Sequence, residues 1–220
     1  MIEFLKEAAD WVLHMNEHLP ILVSDYGTFV YAILFLVIFA ETGLVVTPFL
    51  PGDSLLFVAG MVVAQGSLNL WLLLALLIAA AVLGDTVNYH IGKFIGPKVF
   101  TDAQPKNFFM KLLKKEHLEK AQTFYEKHGG KTIIIARFVP IVRTFAPFVA
   151  GISKMNYSRF IAYNVVGGVV WVIGLTIAGF YLGEFDIVKK NFEKVIFAII
   201  LISLLPIIIE YFRNKNKATA

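Results

Sequence analysis

The stretch Thr132–Gly151, TIIIARFVPIVRTFAPFVAG, is apolar enough to enter a membrane, yet it holds Arg137 and Arg143 and is interrupted by Pro140 and Pro147. A charge at membrane depth costs roughly 3 kcal/mol or more. Each proline removes a helical hydrogen bond and exposes a carbonyl. Such backbone is tolerated at that depth only where it is buried in protein or lines a wet cavity. The segment is therefore no lone straight span. It is expected to be a broken helical hairpin enclosed by other helices, and it is the strongest candidate functional site in the chain.

Composition supports a membrane setting. Of the 220 residues 58% are apolar, too many for an ordinary soluble domain. Several apolar runs reach spanning length, so the expected fold class is an all-α polytopic membrane protein, a single membrane domain over residues 1–220. Cysteine is absent, which excludes disulfides and cysteine-based metal sites or nucleophiles. No His/Asp/Glu group has convincing metal-ligand spacing, and no metal or cofactor is expected. Residues 1–25 hold a single lysine, Lys6, among five acids, unlike the basic start of a signal peptide. Ile2, Leu5, Ala9, Val12, Met15 and Leu19 recur at helical spacing, so an N-terminal amphipathic helix is expected there.

The rest of the chain alternates broken and continuous apolar segments. Phe29–Ala40 runs into Glu41 and Gly43, and then LVVTPFLPGDSLLFVAGMVVAQG carries Pro48, Pro51, Gly52 and Asp53 between apolar flanks. A re-entrant hairpin explains apolar sequence on both sides of that break better than an external loop does. Leu68–Ile91 is a continuous span with Asp85, Asn88 and His90 in its last two turns. Residues 93–131 are polar and carry nine lysines. A second broken hairpin, a glycine-rich span over Phe160–Leu182 and a last span over 195–210 follow, and the tail ends with Arg213, Lys215 and Lys217. Lysine and arginine mark cytoplasmic segments, so the 93–131 loop and the C-terminus are expected inside. That placement gives the two hairpins opposite entry sides. The lysines at 189, 190 and 194 weakly oppose it.

A repeat joins the two hairpins. Phe57–Gly60 reads FVAG, and so does Phe148–Gly151, 91 residues later; the same offset pairs Gly92 with Gly183 and Tyr89 with Phe180. Each unit is then a broken hairpin followed by a span, residues 41–92 and 132–183. Two such units in opposite orientation form an inverted repeat, a transporter architecture. The expected whole is two re-entrant hairpins, about four transmembrane helices and the N-terminal amphipathic helix.

FAETG (39–43), FLPGDSLLFVAG (49–60), GDTVNYHIGK (84–93) and RFVPIVRTFAPFVAG (137–151) resemble the DedA family, also called the SNARE-associated or VTT domain, and within it the DedA subgroup of Gram-negative bacteria. The resemblance covers roughly residues 25–210. It implies a bacterial inner-membrane protein with two opposed hairpins that moves undecaprenyl phosphate or phospholipid between leaflets, with dependence on the proton motive force. The family's functional acids and arginines fall on Glu41, Asp53, Arg137 and Arg143.

The residues themselves carry a compatible chemistry. Arg137 and Arg143 present planar donor forks suited to phosphate and cannot be neutralised cheaply. The plainer alternative is that they only pair with Glu41 or Asp53 and dock the hairpins. Glu41, pulled one way by desolvation and the other by an arginine, is a candidate proton carrier. Asp53 follows Pro51-Gly52 and suits an N-cap as well as a functional role. Asp85 is a secondary candidate, more suited to a structural hydrogen bond, and Ser54 and Thr144 are possible phosphate donors. Trp11, Trp71 and Trp171 read as interfacial or packing residues.

The expected partners are a polyprenyl phosphate or phospholipid substrate, membrane lipids and possible further copies of the chain, not nucleic acid. A phospholipid scramblase, or a proton- or cation-coupled antiporter, is the alternative within transport. An enzyme is not expected. A lipid phosphatase needs histidines at the site, and His14, His18, His90, His117 and His128 all lie outside the apolar hairpins.

Overall fold

A computed structural model describes residues 15–44, 52–101, 130–138, 140–192, 194–195 and 197–198. Among them every regular element is helical. These are α1 (Met15–Tyr26), α2 (Phe29–Gly43), α3 (Gly52–Ala64), α4 (Leu70–Thr101), α5 (Lys131–Ala136), α6 (Pro140–Ile152), α7 (Tyr157–Leu182) and the short α8 (Asp186–Lys190). Residues 1–14, Pro48, Pro51, most of the 93–131 loop and nearly all of the last expected span lie outside the described residues.

Among the described residues two helices are long and apolar enough to cross a membrane. Leu70–Ile95 has a mean hydropathy of 2.3 and Tyr157–Leu182 one of 2.1. At 1.5 Å per residue each reaches about 39 Å, enough for the hydrocarbon core with some tilt. Their exposed apolar side chains, among them Trp71, Leu83 and Val87 on α4 and Val166 and Val170 on α7, are matched to lipid rather than water. The protein is an all-helical membrane protein. Its first span corrects the sequence-derived limit at Ile91, because α4 continues to Thr101. Helical hydrogen bonding satisfies the backbone on either side of the interface, so a helix need not end where its hydrophobicity does.

The chain divides into two compact units, one built from 1–37, 50–77 and 171–220 and the other from 38–49 and 78–170. In the first, α1 packs against α3 and buries Leu19. The described half of the expected amphipathic helix is thus anchored on the first apolar arm. In the second, α5 and α6 are in contact, and Tyr89, Ile133, Ala136, Ala146, Ala150 and Phe160 form a buried cluster.

One local packing arrangement occurs in both units. In the first, a Cβ on Gly60 would lie 2.8 Å from Phe180 N and 3.0 Å from the carbonyl carbon of Thr176; a Cβ on Gly179 would lie 3.0 Å from Phe57 Cα. In the second, a Cβ on Gly151 would lie 2.8 Å from Lys93 N and 3.0 Å from the carbonyl carbon of Tyr89; a Cβ on Gly92 would lie 3.1 Å from Phe148 Cα. The FVAG arm therefore meets its span backbone to backbone in each unit, which only glycine allows. Gly60 matches Gly151 at the offset of 91. The spans match differently: Gly92 corresponds to Gly179, four residues before Gly183, and Tyr89 to Thr176 rather than Phe180.

Proline has two outcomes. Pro140 opens α6, where a missing N–H costs nothing. Pro147, expected as a second break, lies inside α6. Its neighbours Ala146, Phe148 and Ala150 are buried, and their packing holds the helix together against a loss of about 3 kcal/mol. Gly52, also expected at a break, is the first residue of α3.

Candidate functional site

The second unit gathers four buried charges. Glu41 lies near the end of α2, where α2 and α4 approach backbone to backbone. A Cβ on Gly84 would lie 2.8 Å from Phe39 O and 3.0 Å from Gly43 N. That approach, made by two glycines, brings the end of α2 beside the turn of α4 that carries Asp85. Arg137 caps the C-terminus of α5 with helical dihedrals, at the break itself. Arg143 sits in the first turns of α6.

The charges form two ion pairs. Arg143 Nη2 donates to Glu41 Oε1, and Arg137 Nη2 donates to Asp85 Oδ2. All four side chains are buried, and the members of one pair lie within electrostatic reach of the other. Two carboxylates and two guanidiniums make a cluster with no net charge, which is the form in which charge survives burial.

Two asparagines on the spans complete the arrangement. Asn88, one turn beyond Asp85 on α4, donates from Nδ2 to Thr42 O at 3.1 Å and to Thr144 O at 2.7 Å. Those carbonyls directly follow Glu41 and Arg143 in the chain, so one amide ties together the backbones of an ion pair. Asn164 on α7 accepts from Arg137 Nη2 at 2.6 Å and donates to Val82 O at 3.1 Å. Both asparagines are fully buried.

The sequence-derived candidates separate accordingly. Arg137, Arg143, Glu41, Asp85 and Thr144 belong to the second unit. Asp53 and Ser54 belong to the first, in the opening turn of α3, where Asp53 Oδ1 accepts from Trp171 Nε1 at 2.8 Å and Ser54 is buried. Trp171 is thus a buried, hydrogen-bonded packing residue, one of the two roles expected for it. The partner of Arg137 is Asp85, which sequence reasoning ranked below Asp53. Asn88 and Asn164 went unrecognised as site residues. Their signal was an uncharged amide inside a membrane span, where an unsatisfied polar group is costly.

Fold and site together define a polytopic helical membrane protein built around buried, paired arginines. A family profile described as the VTT domain matches residues 50–181. Protein DedA of Escherichia coli strain K12 is 52% identical over 211 residues, covering 95% of this chain and 94% of the relative. An uncharacterized membrane protein of Mycobacterium leprae, ML0287, is 42% identical over 190 residues, 85% of this chain and 83% of the relative. The inner membrane protein YqjA of Escherichia coli strain K12 is 33% identical over 182 residues, 83% and 79% of the two chains. No solved structure matches. The chain belongs to the DedA family of VTT-domain membrane proteins.

Proposed function

We propose that this protein is a lipid transporter that carries undecaprenyl phosphate, a single-phosphate polyprenyl lipid, across the bacterial inner membrane. The observation that carries the reading is the neutral cluster of two buried guanidiniums, each paired with one carboxylate, inside apolar helices. A phosphate oxyanion presents the same acceptor geometry as a carboxylate and exchanges for it on a guanidinium fork. The polyprenyl tail stays in lipid while the head enters the cluster.

Charge balance then suggests coupling. When phosphate takes an arginine, the displaced carboxylate is left buried without its counterion. Proton uptake removes that penalty, so entry of the anion draws a proton with it. Glu41 and Asp85 are the exchanging carboxylates, and Asp53 is a further proton-carrying group. The architecture that fits is an inverted repeat of two re-entrant hairpins. The paired glycine contacts of the two units support a duplication, and the basic 93–131 loop and tail support a cytoplasmic C-terminus. The inner-membrane assignment draws on the printed name of the YqjA relative. The protein acts on its substrate by moving it, without chemistry.

The test is leaflet-resolved transport of defined lipids by the purified protein in proteoliposomes, with and without a pH gradient. Movement of short-chain polyprenyl phosphate, accelerated by the gradient, is expected. Absence of both binding and movement refutes the reading. Equal transport of zwitterionic phospholipid, unaffected by polyprenyl phosphate as competitor, supports the scramblase alternative instead. Release of inorganic phosphate from the lipid makes the protein an enzyme.

A further inference from the structure

The face of α7 that meets Arg137 is made of Asn164, Gly167 and Gly168, at positions i, i+3 and i+4 of one helical stripe. A Cβ on Gly167 would lie 3.4 Å from Arg137 Nε and 3.6 Å from its Cδ, and one on Gly168 would lie 3.9 Å from its Cζ. At both positions a methyl would be in ordinary contact with Arg137, so this face of α7 packs directly against the arginine. Larger residues at either position would press on the guanidinium. Asn164, one turn earlier, supplies the acceptor.

The amide of Asn164 is held in one orientation. Its Nδ2 donates to Val82 O, so Oδ1 faces Arg137. Reversing the amide would set NH2 against a guanidinium, which has only donors. Val82 lies three residues before Asp85 on the same helix. Asn164 therefore ties the helix that carries the carboxylate to the arginine that the carboxylate binds. The two hydrogens of Arg137 Nη2 go to Asp85 and Asn164 respectively. One acceptor is charged and exchangeable, and the other is neutral.

We propose that Asn164, on the face of α7 where Gly167 and Gly168 also meet Arg137, is a positioning residue that holds Arg137 Nη2 in place while a phosphate oxygen replaces Asp85. This deepens the phosphate-lipid reading and rests on it. Neutrality is the essential property. A carboxylate at this position would give the cluster a third negative charge, bind Arg137 permanently and repel the incoming anion. An apolar residue would remove the neutral one of the two acceptors that Arg137 Nη2 uses.

The experiment uses the full chain in lipid nanodiscs, comparing wild type with Asn164→Asp and Asn164→Leu. Two quantities are read: affinity for short-chain polyprenyl phosphate, with inorganic phosphate alone in a parallel arm, and the nitrogen-15 signals of the Arg137 guanidinium, assigned by their loss in Arg137→Lys. The expected result is a tenfold or greater loss of lipid affinity in Asn164→Asp, measured on protein that still unfolds cooperatively. Asn164→Leu is expected to shift the Arg137 guanidinium signals, because Nη2 loses one of its two acceptors. Retention of wild-type affinity within twofold in Asn164→Asp overturns the proposal, as does an unchanged guanidinium signal in Asn164→Leu. If Asn164→Asp fails to fold, Asn164→Leu decides by that signal. If wild type binds neither probe, the phosphate reading has failed, and the signal alone decides whether Asn164 positions Arg137. Binding of inorganic phosphate as tightly as the lipid would assign the site to the free ion, with Asn164 in the same role.

Discussion

Removing Asp85 tests whether the buried cluster is held by charge compensation. In Asp85→Asn the side chain keeps its shape and a hydrogen-bond acceptor, but the cluster is left with two cations against Glu41 alone. Breaking a buried pair from one side costs about 3–5 kcal/mol, because the remaining charge has lost its counterion inside a low-dielectric surround. Both partners here are almost wholly buried, with side-chain exposures of 3% for Arg137 and 6% for Asp85, so solvent relieves little of that cost. The opposite single change, Arg137→Met, should cost less. An aspartate left alone can take up a proton, whereas an arginine cannot release one. In the double variant Asp85→Asn/Arg137→Met no charge is orphaned, and stability should return to within about 2 kcal/mol of wild type. The cycle is read by reversible unfolding of the full chain in mixed micelles. A coupling energy of about 2 kcal/mol or more is expected from these figures. If the two single effects simply add, within about 0.5 kcal/mol, the ion pair is not what stabilises the cluster.

Three further changes probe the frame around the site. Gly151→Ala forces a methyl against the α4 backbone and should destabilise by about 1–3 kcal/mol, whereas Gly174→Ala, which meets nothing within 4 Å, should stabilise by up to about 1 kcal/mol through helix propensity; equal melting temperatures for the two variants would count against the close glycine contact. Lys154 has φ +53 after the last turn of α6, and Met155 N donates to Ala150 O at 3.0 Å and Lys154 N to Gly151 O at 3.1 Å, the double bond of a Schellman cap. Lys154→Gly should therefore raise stability by a few tenths to about 1 kcal/mol in thermal melting, and a drop would mean that the lysine side chain matters more than the turn. Trp171→Phe removes the Nε1 donor to Asp53 and should cost about 1–3 kcal/mol in the same assay; no loss would show that this hydrogen bond contributes nothing net.

What the sequence could show about the site follows from which facts are local. Arg137, Arg143 and Glu41 stand out because each is a charge in apolar sequence, and cost at depth is a property of the residue and its neighbours. Pro140 is similarly legible, since a proline at a helix start acts through its own φ and missing N–H. Pro147 was misjudged because packing of Ala146, Phe148 and Ala150 outweighs its local cost, and packing is tertiary. The choice of Asp85 over Asp53 as partner for Arg137 is tertiary too. Both are acids near the end of an apolar run, and what places Asp85 in the cluster is the approach of Gly84 to the end of α2.

The two FVAG segments show the same limit in a sharper form. Sequence matching pairs Gly92 with Gly183, while packing pairs it with Gly179. The difference of four residues is close to one helical turn of 3.6, so a span slid by that amount presents nearly the same face. Alignment of apolar letters cannot sense such a slip, because glycines at 179 and 183 both lie on that face. The backbone contact can, since Phe57 approaches Gly179 as closely as Phe148 approaches Gly92. A glycine that matters by its own missing Cβ is visible in sequence only as a candidate. Which candidate is used depends on the helix across from it. The same reasoning accounts for Asn164: on its own it is one polar letter in a span, and its role arises from Arg137, Val82 and the two glycines that its turn of α7 brings to one side.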